Sequence, residues 1–199
     1  MRLLSAPVLH QVQLRYDVLS DVGTGRPAGL RADVVWVHPT WGELPADDAW
    51  SAAERAGLQA VLRRWLLTRA CRDAAAFPGT VGVGVQLPAG LTAAGTLPED
   101  VADALAAGGL SPERLGLCFP EELLRHEPAT VLPALRAVHD AGVRLLLTAS
   151  GPGTTLQASR AEVPLDAVVV ALRTVAADVG APDTPARVGA PGLPAPQPA

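Results

Sequence analysis

The sequence lacks three residue types altogether, because lysine, isoleucine and asparagine do not occur among its 199 residues. Every basic side chain other than histidine is therefore an arginine. Such a bias is typical of a GC-rich genome, so a missing lysine or asparagine is weak evidence about function. Aspartate and glutamate are still plentiful, 20 together, and a carboxylate missing from a functional position is therefore informative.

Cysteine is scarce, and so is positive charge. Cys71 and Cys118 are the only cysteines, too few for a disulfide framework and in no paired zinc spacing. We expect both to be reduced thiols in a cytoplasmic protein. The net charge of −4 argues against a nucleic-acid partner, which favours a basic protein face. It also argues against attraction to an anionic membrane.

Long apolar runs are missing as well. No stretch approaches the roughly 18 apolar residues that a membrane span requires, and the N-terminus lacks the apolar core of a signal peptide. What the chain does contain is 49% hydrophobic residues, enough for the core of one globular α/β domain. We assign that domain to residues 1–180. Residues 181–199 contain six prolines and little to bury, which predicts a disordered tail.

Within the domain, short β-rich runs alternate with runs of helical period. The predicted strands are residues 30–37, 81–87, 115–119, 143–148 and 167–170, with another inside 8–19. The predicted helices are residues 49–56, 59–77, 98–107 and 129–141, the last ending at Gly142 as a left-handed cap. Alternation of this kind predicts an α/β fold of about six β/α units on a parallel sheet, fewer than the eight of a closed barrel.

Two further expectations concern individual side chains. In the helix at 59–77, Leu62, Trp65, Leu66 and Leu67 form an apolar stripe, and Arg63, Arg64 and Arg69 lie off it. Trp36 and Trp65 are expected in the core. Trp41 and Trp50, in or beside a polar loop, are candidates to anchor a partner.

Several spaced motifs follow one another between Trp36 and Cys71. Trp36-Val37-His38-Pro39 precedes Gly42 and Leu44-Pro45. Ala53-Glu54-Arg55-Ala56-Gly57-Leu58 follows, and then Trp65 and Ala70-Cys71. This series resembles the EAL family of cyclic di-GMP phosphodiesterases, which has W-x-H-P, G-x-L-x-P, A-E-x-x-G-L and a W…AC helix in the same order. The resemblance implies an incomplete (β/α)8 TIM-barrel-like fold, and the chain would stop about two β/α units before the family's last Glu and Gln.

The resemblance also implies where a catalytic site would lie. Family members bind two divalent cations through carboxylates and an amide at the carboxyl ends of the strands, and the metals generate the attacking hydroxide. The ligand positions fall here on Arg31, Gln86, Cys118, Thr148 and Ala149. The family's phosphate-contacting Arg falls on Val35, and its strand-six Lys falls on Val169. Glu121 alone is retained, at a position that in the family supports a loop.

This residue set predicts that the chain is not an enzyme, because Mg²⁺ and Mn²⁺ require several oxygen ligands, preferably anionic. Arg31 could instead contact an anion, or pair with Asp33 or Glu121, or reach solvent. Cys118 could ligate a soft metal, or serve as a small apolar residue. The loop at residues 150–155 could hold a phosphate, or connect strands and contact a dimer partner.

The sequence thus favours a non-catalytic EAL-like domain that acts through protein contacts, with no cofactor and no metal. An incomplete barrel leaves strand edges unpaired, which predicts a homodimer or a heteropartner. A cyclic di-GMP receptor that binds without hydrolysis is the alternative. An active phosphodiesterase and a decaying gene product without a role also stay open.

Overall fold

The computed structural model describes residues 10–21, 24–77, 81–91, 93–126, 128–149 and 163–170. These residues form seven strands and five α-helices, with short 3-10 turns at Ala94–Thr96 and Pro112–Arg114. The strands are β1 Val12–Ser20, β2 Pro27–His38, β3 Gly42–Leu44, β4 Val83–Gln86, β5 Leu115–Pro120, β6 Arg144–Ala149 and β7 Ala167–Val170. The helices are α1 Ala46–Arg55, α2 Gln59–Ala75, α3 Leu97–Gly108, α4 Glu121–His126 and α5 Pro128–Asp140.

The described strands form one sheet in the order β1-β2-β4-β5-β6-β7, with β3 paired to β2. The strands β2, β4, β5, β6 and β7 run parallel, as the alternating pattern predicts. Two strands differ from that prediction, because β1 and β3 run antiparallel to β2. Each is joined to β2 by a short turn, and only an antiparallel neighbour can be reached without a long crossover.

Most predicted elements lie where the sequence places them, and no end of these elements differs by more than about four residues. Gly142 has a φ of 91° and ends α5, which confirms the predicted left-handed cap. Helix α4 and strand β3 are too short to give a periodic signal, and the sequence does not predict them. The predicted disordered tail at residues 181–199 lies outside the described residues.

The two faces of the sheet differ in chemistry because side chains alternate along each strand. One face is apolar and packs against α2, α3 and α5; its buried strand residues include Val83, Val85, Leu115, Leu117, Phe119, Leu145 and Leu147. The opposite face, which we call the inner face, carries Arg31, Asp33, Gln86, Cys118 and Thr148. The candidate site is built on that inner face.

Arg63 departs from its predicted place off the apolar stripe, since its side chain is fully buried. Its Nε donates to Asp100 Oδ2 of α3 at 2.8 Å, and a second guanidinium nitrogen bonds the same carboxylate. Nη2 also donates to the Thr96 hydroxyl at 2.7 Å. The buried charge is thereby paired and hydrogen-bonded, the condition under which a guanidinium is found inside a protein.

Trp50 also differs from the expectation that it is available to a partner. It is buried on α1, with 4% of its surface exposed. Trp41, by contrast, is 61% exposed and stacks on His38 with ring centroids 4.1 Å apart. Trp36 lies in the core as predicted, and Trp65 packs against the core while partly exposed. Of the two candidate anchors, Trp41 is accessible and Trp50 is not.

Candidate functional site

The strand registers bring most of the aligned site positions together at the carboxyl ends of β4, β5 and β6. Gln86 lies opposite Cys118 across β4 and β5. Thr148 lies opposite Pro120 on one side and Val169 on the other. Polar side chains at the carboxyl ends of parallel strands meet at one edge, which is where α/β folds place ligand sites. The structure thus places these aligned positions side by side in the sheet, and what they can do chemically depends on which residues they are.

The resemblance aligns Arg31 with the family's signature carboxylate, and the ion-pair partner of Arg31 in the structure is Asp17. The Arg31 Nη2 lies 2.9 Å from Asp17 Oδ2. The hairpin explains the choice, because β1 and β2 place Asp17 directly opposite Arg31. About a fifth of the Arg31 side chain is exposed, 22%. The guanidinium is thus held by a neighbour within the hairpin.

Cys118 lies fully buried on the inner face of β5. Burial raises the pKa of its thiol to about 12, and the Arg31 charge offsets only part of that effect. A thiol with so high a pKa is protonated at neutral pH, whereas a metal ligand or a nucleophile must be the thiolate. A Cβ atom on residue 84 would lie 2.6 Å from the Cys118 sulfur, so glycine at that position leaves room for it.

Gln86 and Thr148 form a contact of their own across β5. The Thr148 hydroxyl donates to Gln86 Oε1 at 3.3 Å, and Gln86 Nε2 donates to the Leu87 carbonyl at 3.1 Å. Both side chains are partly buried. The amide and hydroxyl oxygens at this end of the sheet are neutral, and both residues are engaged with protein atoms.

The remaining aligned positions add no ligand. Val35 is buried and Val169 is partly buried, and neither can contact a phosphate or polarise a water molecule. Ala149 ends β6 and has no polar side-chain atom. Glu121 is buried at the start of α4. It is the single carboxylate among these aligned positions.

Sequence reasoning missed a cavity of about 380 Å³ beside the carboxyl end of β2. It is lined by Arg15, Asp17, Asp33, Val34, Val35, Glu43, Leu44, Pro45 and Ala46. Its charges are of both signs and already paired in part, since Arg15 forms an ion pair with Glu43. The register of β1 on β2 is the signal that could have located this cavity, and that register becomes known only from the antiparallel pairing.

Asp33 is a partly buried carboxylate of this inner face, and its charge acts on the Cys118 thiol. Burial raises the pKa of its carboxyl group, and a hydrogen bond from the Val34 N–H at 2.8 Å and the Arg31 charge oppose that shift. In the family, the position that the resemblance aligns with Asp33 is an apolar residue of the signature motif. Asp33 therefore supplies a carboxylate, but displaced by one inward-facing position along β2 from the aligned ligand.

Taken together, this donor set does not fit two hard divalent cations. It offers a guanidinium, a protonated thiol, an amide, a hydroxyl and an alanine at the aligned positions, whereas Mg²⁺ and Mn²⁺ take anionic oxygen ligands. Among the described residues, no three His, Cys, Asp or Glu side chains are grouped so that they could hold a metal ion. The loop at residues 150–155, a candidate phosphate or dimer loop, lies outside those residues.

Within the part of the chain that the structure describes, no helix is long and apolar enough to cross a membrane. Cys71 and Cys118 are both free and buried. His38 accepts the Thr40 N–H at 3.1 Å and the Trp41 N–H at 3.3 Å through Nδ1. The W-x-H-P motif thus ends β2, and its histidine orders the turn that follows.

Comparison with known proteins agrees with this architecture. PaMucR phosphodiesterase, solved in complex with c-di-GMP, superposes with a TM-score of 0.71 at 24% identity, covering 82% of this chain and 68% of that one. The FimX EAL domain of Pseudomonas aeruginosa, bound to c-di-GMP, superposes with a TM-score of 0.66 at 18% identity, covering 80% and 65%. At these identities the likeness shows the fold, a TIM-barrel-like α/β sheet.

The family model named EAL domain matches residues 2–188, and the chain belongs to that family. An uncharacterized signaling protein of Caulobacter vibrioides is 32% identical over 161 residues, which are 81% of this chain and 20% of the relative. The cyclic di-GMP phosphodiesterase NbdA of Pseudomonas aeruginosa is 31% identical over 164 residues, which are 80% of this chain and 21% of NbdA. The chain thus spans about a fifth of these relatives' length.

Proposed function

We propose that the chain is a non-catalytic EAL domain that acts through protein contacts in cyclic di-GMP signalling. The observation that carries the proposal is the donor set of the inner face. A guanidinium replaces the signature carboxylate, and that guanidinium is ion-paired to Asp17. The thiol at the β5 ligand position is buried with a raised pKa. Family membership supports the signalling context, since related domains include a protein named as a cyclic di-GMP phosphodiesterase.

The physical reason is charge compensation. Phosphodiester hydrolysis by metal-bound hydroxide needs cations that both activate water and neutralise the developing negative charge. Cations of this kind are held by carboxylates at close range. Arg31 repels a divalent cation at the aligned position, and Gln86 and Thr148 can offer only neutral oxygens. Asp33 and Glu121 do not restore the missing set, because neither belongs to a group of potential ligands among the described residues.

Hydrolysis is tested by incubating the purified chain with cyclic di-GMP in Mg²⁺ or Mn²⁺ and separating the linear product chromatographically. We expect no linear product above the rate of a blank without protein. The EAL region of NbdA, prepared in the same way, is the matched positive control. Linear product formed at a rate proportional to the concentration of this chain would overturn the proposal.

The alternative is a receptor that binds cyclic di-GMP without cleaving it. One observation favours it: a cavity of about 380 Å³ is lined by Arg15 and Asp33 together with Asp17, the ion-pair partner of Arg31. The nucleotide's phosphates would require a cation there, and Arg31 and Arg15 are the candidates, each already paired with a carboxylate.

Calorimetric titration with cyclic di-GMP in the absence of metal separates the two functions. Micromolar binding that is lost in Arg31→Ala and kept in Arg64→Ala would support the receptor. Arg64 is the control because it is exposed on α2, away from the cavity. No heat with wild-type protein supports the protein-contact function. Binding that both variants retain would rule out Arg31 as the anion contact.

A further inference from the structure

Among the described strands, the outer edge of β1 has no pairing partner. Strand β1 stands at the end of the sheet and pairs with β2 alone among the described strands. It is nine residues long, longer than the average strand of five or six residues. A long edge strand presents a row of backbone N–H and C=O groups that can pair with another strand. The edge therefore provides the backbone half of an interface.

The side chains of β1 indicate which strand would pair there. Arg15 and Asp17 flank Tyr16 and face the same side of the sheet. Their side chains are 45% and 51% exposed. In an antiparallel pair centred on Tyr16, Arg15 of each copy lies directly opposite Asp17 of the other. The two-fold axis repeats this ion pair, so it forms twice. Strand β1 thus carries both the cation and the anion that a second copy of the strand requires.

Other pairings of the same strand with itself are less favourable. A parallel pairing in register sets Arg15 beside Arg15, and like charges directly opposite destabilise a sheet. An antiparallel pairing centred on Leu14 leaves both charges opposite uncharged residues. The Tyr16-centred register also brings Leu14 against Val18, a residue that is 47% exposed in the single chain. The apolar contact and the charge pattern therefore select the same register.

The ion pairs within one copy extend naturally into this arrangement. Across β1 and β2, Asp17 lies opposite Arg31 and Arg15 lies opposite Asp33. The charges thus alternate in sign both along and across the hairpin. A second β1 continues that alternation by one strand, so each Arg15 lies between carboxylates and each Asp17 between guanidiniums. An edge strand protected against association carries instead charges that repel a copy of itself.

We propose that β1 pairs antiparallel with β1 of a second copy, centred on Tyr16, and joins two sheets into one across a two-fold axis. The proposal deepens the protein-contact function proposed above, on which it rests for its biological role, by naming the partner and the surface.

Cysteine cross-linking of the full chain tests both the dimer and its register. Leu14→Cys and Val18→Cys lie opposite each other across the proposed axis, at the spacing that a disulfide bridges. Each variant alone places its two thiols four residues apart along the strands, about 13 Å, too far to bridge. The native Cys71 and Cys118 are buried and do not compete.

An equimolar mixture of the two variants should form a covalent dimer under mild oxidation, in up to about half of the chains if the copies exchange freely. Each variant alone should stay uncrosslinked. A mixture of Val18→Cys with Val61→Cys, which is exposed on α2, controls for random collision and should also stay uncrosslinked. Light scattering of the wild-type chain should give the dimer mass at micromolar concentration.

Three results would overturn the dimer. They are a monomer at 100 μM in wild-type light scattering, equal cross-linking in the Val61→Cys control, and cross-linking of Val18→Cys with itself. A monomer whose β1 amides resist hydrogen exchange would show that another segment of the same chain covers the edge. The hydrolysis assay is independent of these results. A monomer that forms no linear product refutes the dimer and leaves the non-catalytic function in place. A dimer that hydrolyses cyclic di-GMP supports the β1 pairing and refutes the non-catalytic function.

Discussion

At the scale of single residues, the effect of a charge on stability depends on how well its neighbours compensate it. Arg63 is buried against Asp100, with Thr96 as a further acceptor. Asp33 is partly buried, and loss of hydration raises the pKa of its carboxyl group because the Val34 N–H and the Arg31 charge compensate only in part. Arg63 belongs to a hydrogen-bonded ion pair, whereas the Asp33 carboxylate lies where its charge is unfavourable. Removing the charge should therefore destabilise the fold at Arg63 and stabilise it at Asp33.

Removing the Arg63 guanidinium should be strongly destabilising. Arg63→Ala leaves the Asp100 carboxylate buried without its main partner, which costs about 3–5 kcal/mol. Arg64→Ala is the matched control, because Arg64 also approaches Asp100, at 3.7 Å, but its side chain is 57% exposed. We expect the control to lose about 1 kcal/mol or less. Urea unfolding of the two variants measures both, and equal losses would contradict this role for Arg63.

Neutralising Asp33 should stabilise the fold at neutral pH. A carboxyl group whose folded pKa is raised takes up its proton more readily in the folded state, so it stabilises the fold only below that pKa and the contribution is lost as pH rises through it. Asp33→Asn should therefore have a higher Tm than wild type at pH 7, with the difference shrinking as the pH falls towards about 4. A Tm difference that is constant from pH 4 to pH 8 would contradict the assignment.

Sequence reasoning has a clear limit at this scale. It located Gln86, Cys118 and Thr148 at one end of the sheet, because strand order and the family motif fix that. It misplaced Arg63, since the period of one helix says nothing about an acid 37 residues away on another. It did not find Asp17 as the partner of Arg31, because that pairing depends on the register of a hairpin that no local pattern specifies.

At the scale of elements, two contacts determine how the units fit together. Helices α2 and α3 approach closely at Gly108, where a Cβ atom would lie 2.5 Å from the Cys71 Cβ and 2.9 Å from its backbone carbonyl carbon. The hairpin of β1 and β2 is joined to α2 by the Tyr16 hydroxyl, which donates to Asp73 at 2.8 Å. Strand and helix positions followed from periodicity, but these close contacts required the three-dimensional arrangement.

Gly108→Ala should separate α2 from α3. The added methyl group meets backbone atoms, which cannot yield as a flexible side chain can, so we expect a loss of about 1–3 kcal/mol. Gly95→Ala is the control, because a Cβ atom there meets nothing within 4 Å. Thermal unfolding compares the two. A Gly108→Ala variant as stable as the control would show that the helices can move apart at little cost.

The proposed pairing of β1 predicts a charge-swap rescue. Arg15→Glu and Asp17→Arg each place like charges opposite each other in a homodimer, and we expect either variant alone to weaken dimerisation at least about tenfold, since about 1.4 kcal/mol is tenfold in affinity. An equimolar mixture restores opposite charges at both positions and should dimerise within about threefold of wild type. Sedimentation equilibrium measures all three, with circular dichroism to confirm folding. A mixture as weak as its components would contradict the register.

At the scale of the whole molecule, the chain keeps the scaffold of its family and alters the chemistry of the inner face. The motifs that carry the family resemblance lie in turns and in the core: His38 orders a turn, and Trp36 and Cys71 are buried. The aligned site positions carry a different set of side chains. Fold and site are separate properties of a protein, and here the sequence allowed the fold to be predicted well while the site required its electrostatics.

The proposed function requires that this inner face does not hold the divalent cations of a phosphodiesterase. Titration of the purified chain with Mn²⁺, followed by electron paramagnetic resonance of the free ion, measures whether it does. We predict no site with a Kd below about 1 mM, an affinity of about 4 kcal/mol, and no change on Asp33→Asn. The EAL region of NbdA serves as the comparison. Two Mn²⁺ sites of micromolar affinity, weakened by substitution of Asp33 or Glu121, would contradict the proposed function and reopen the question of hydrolysis.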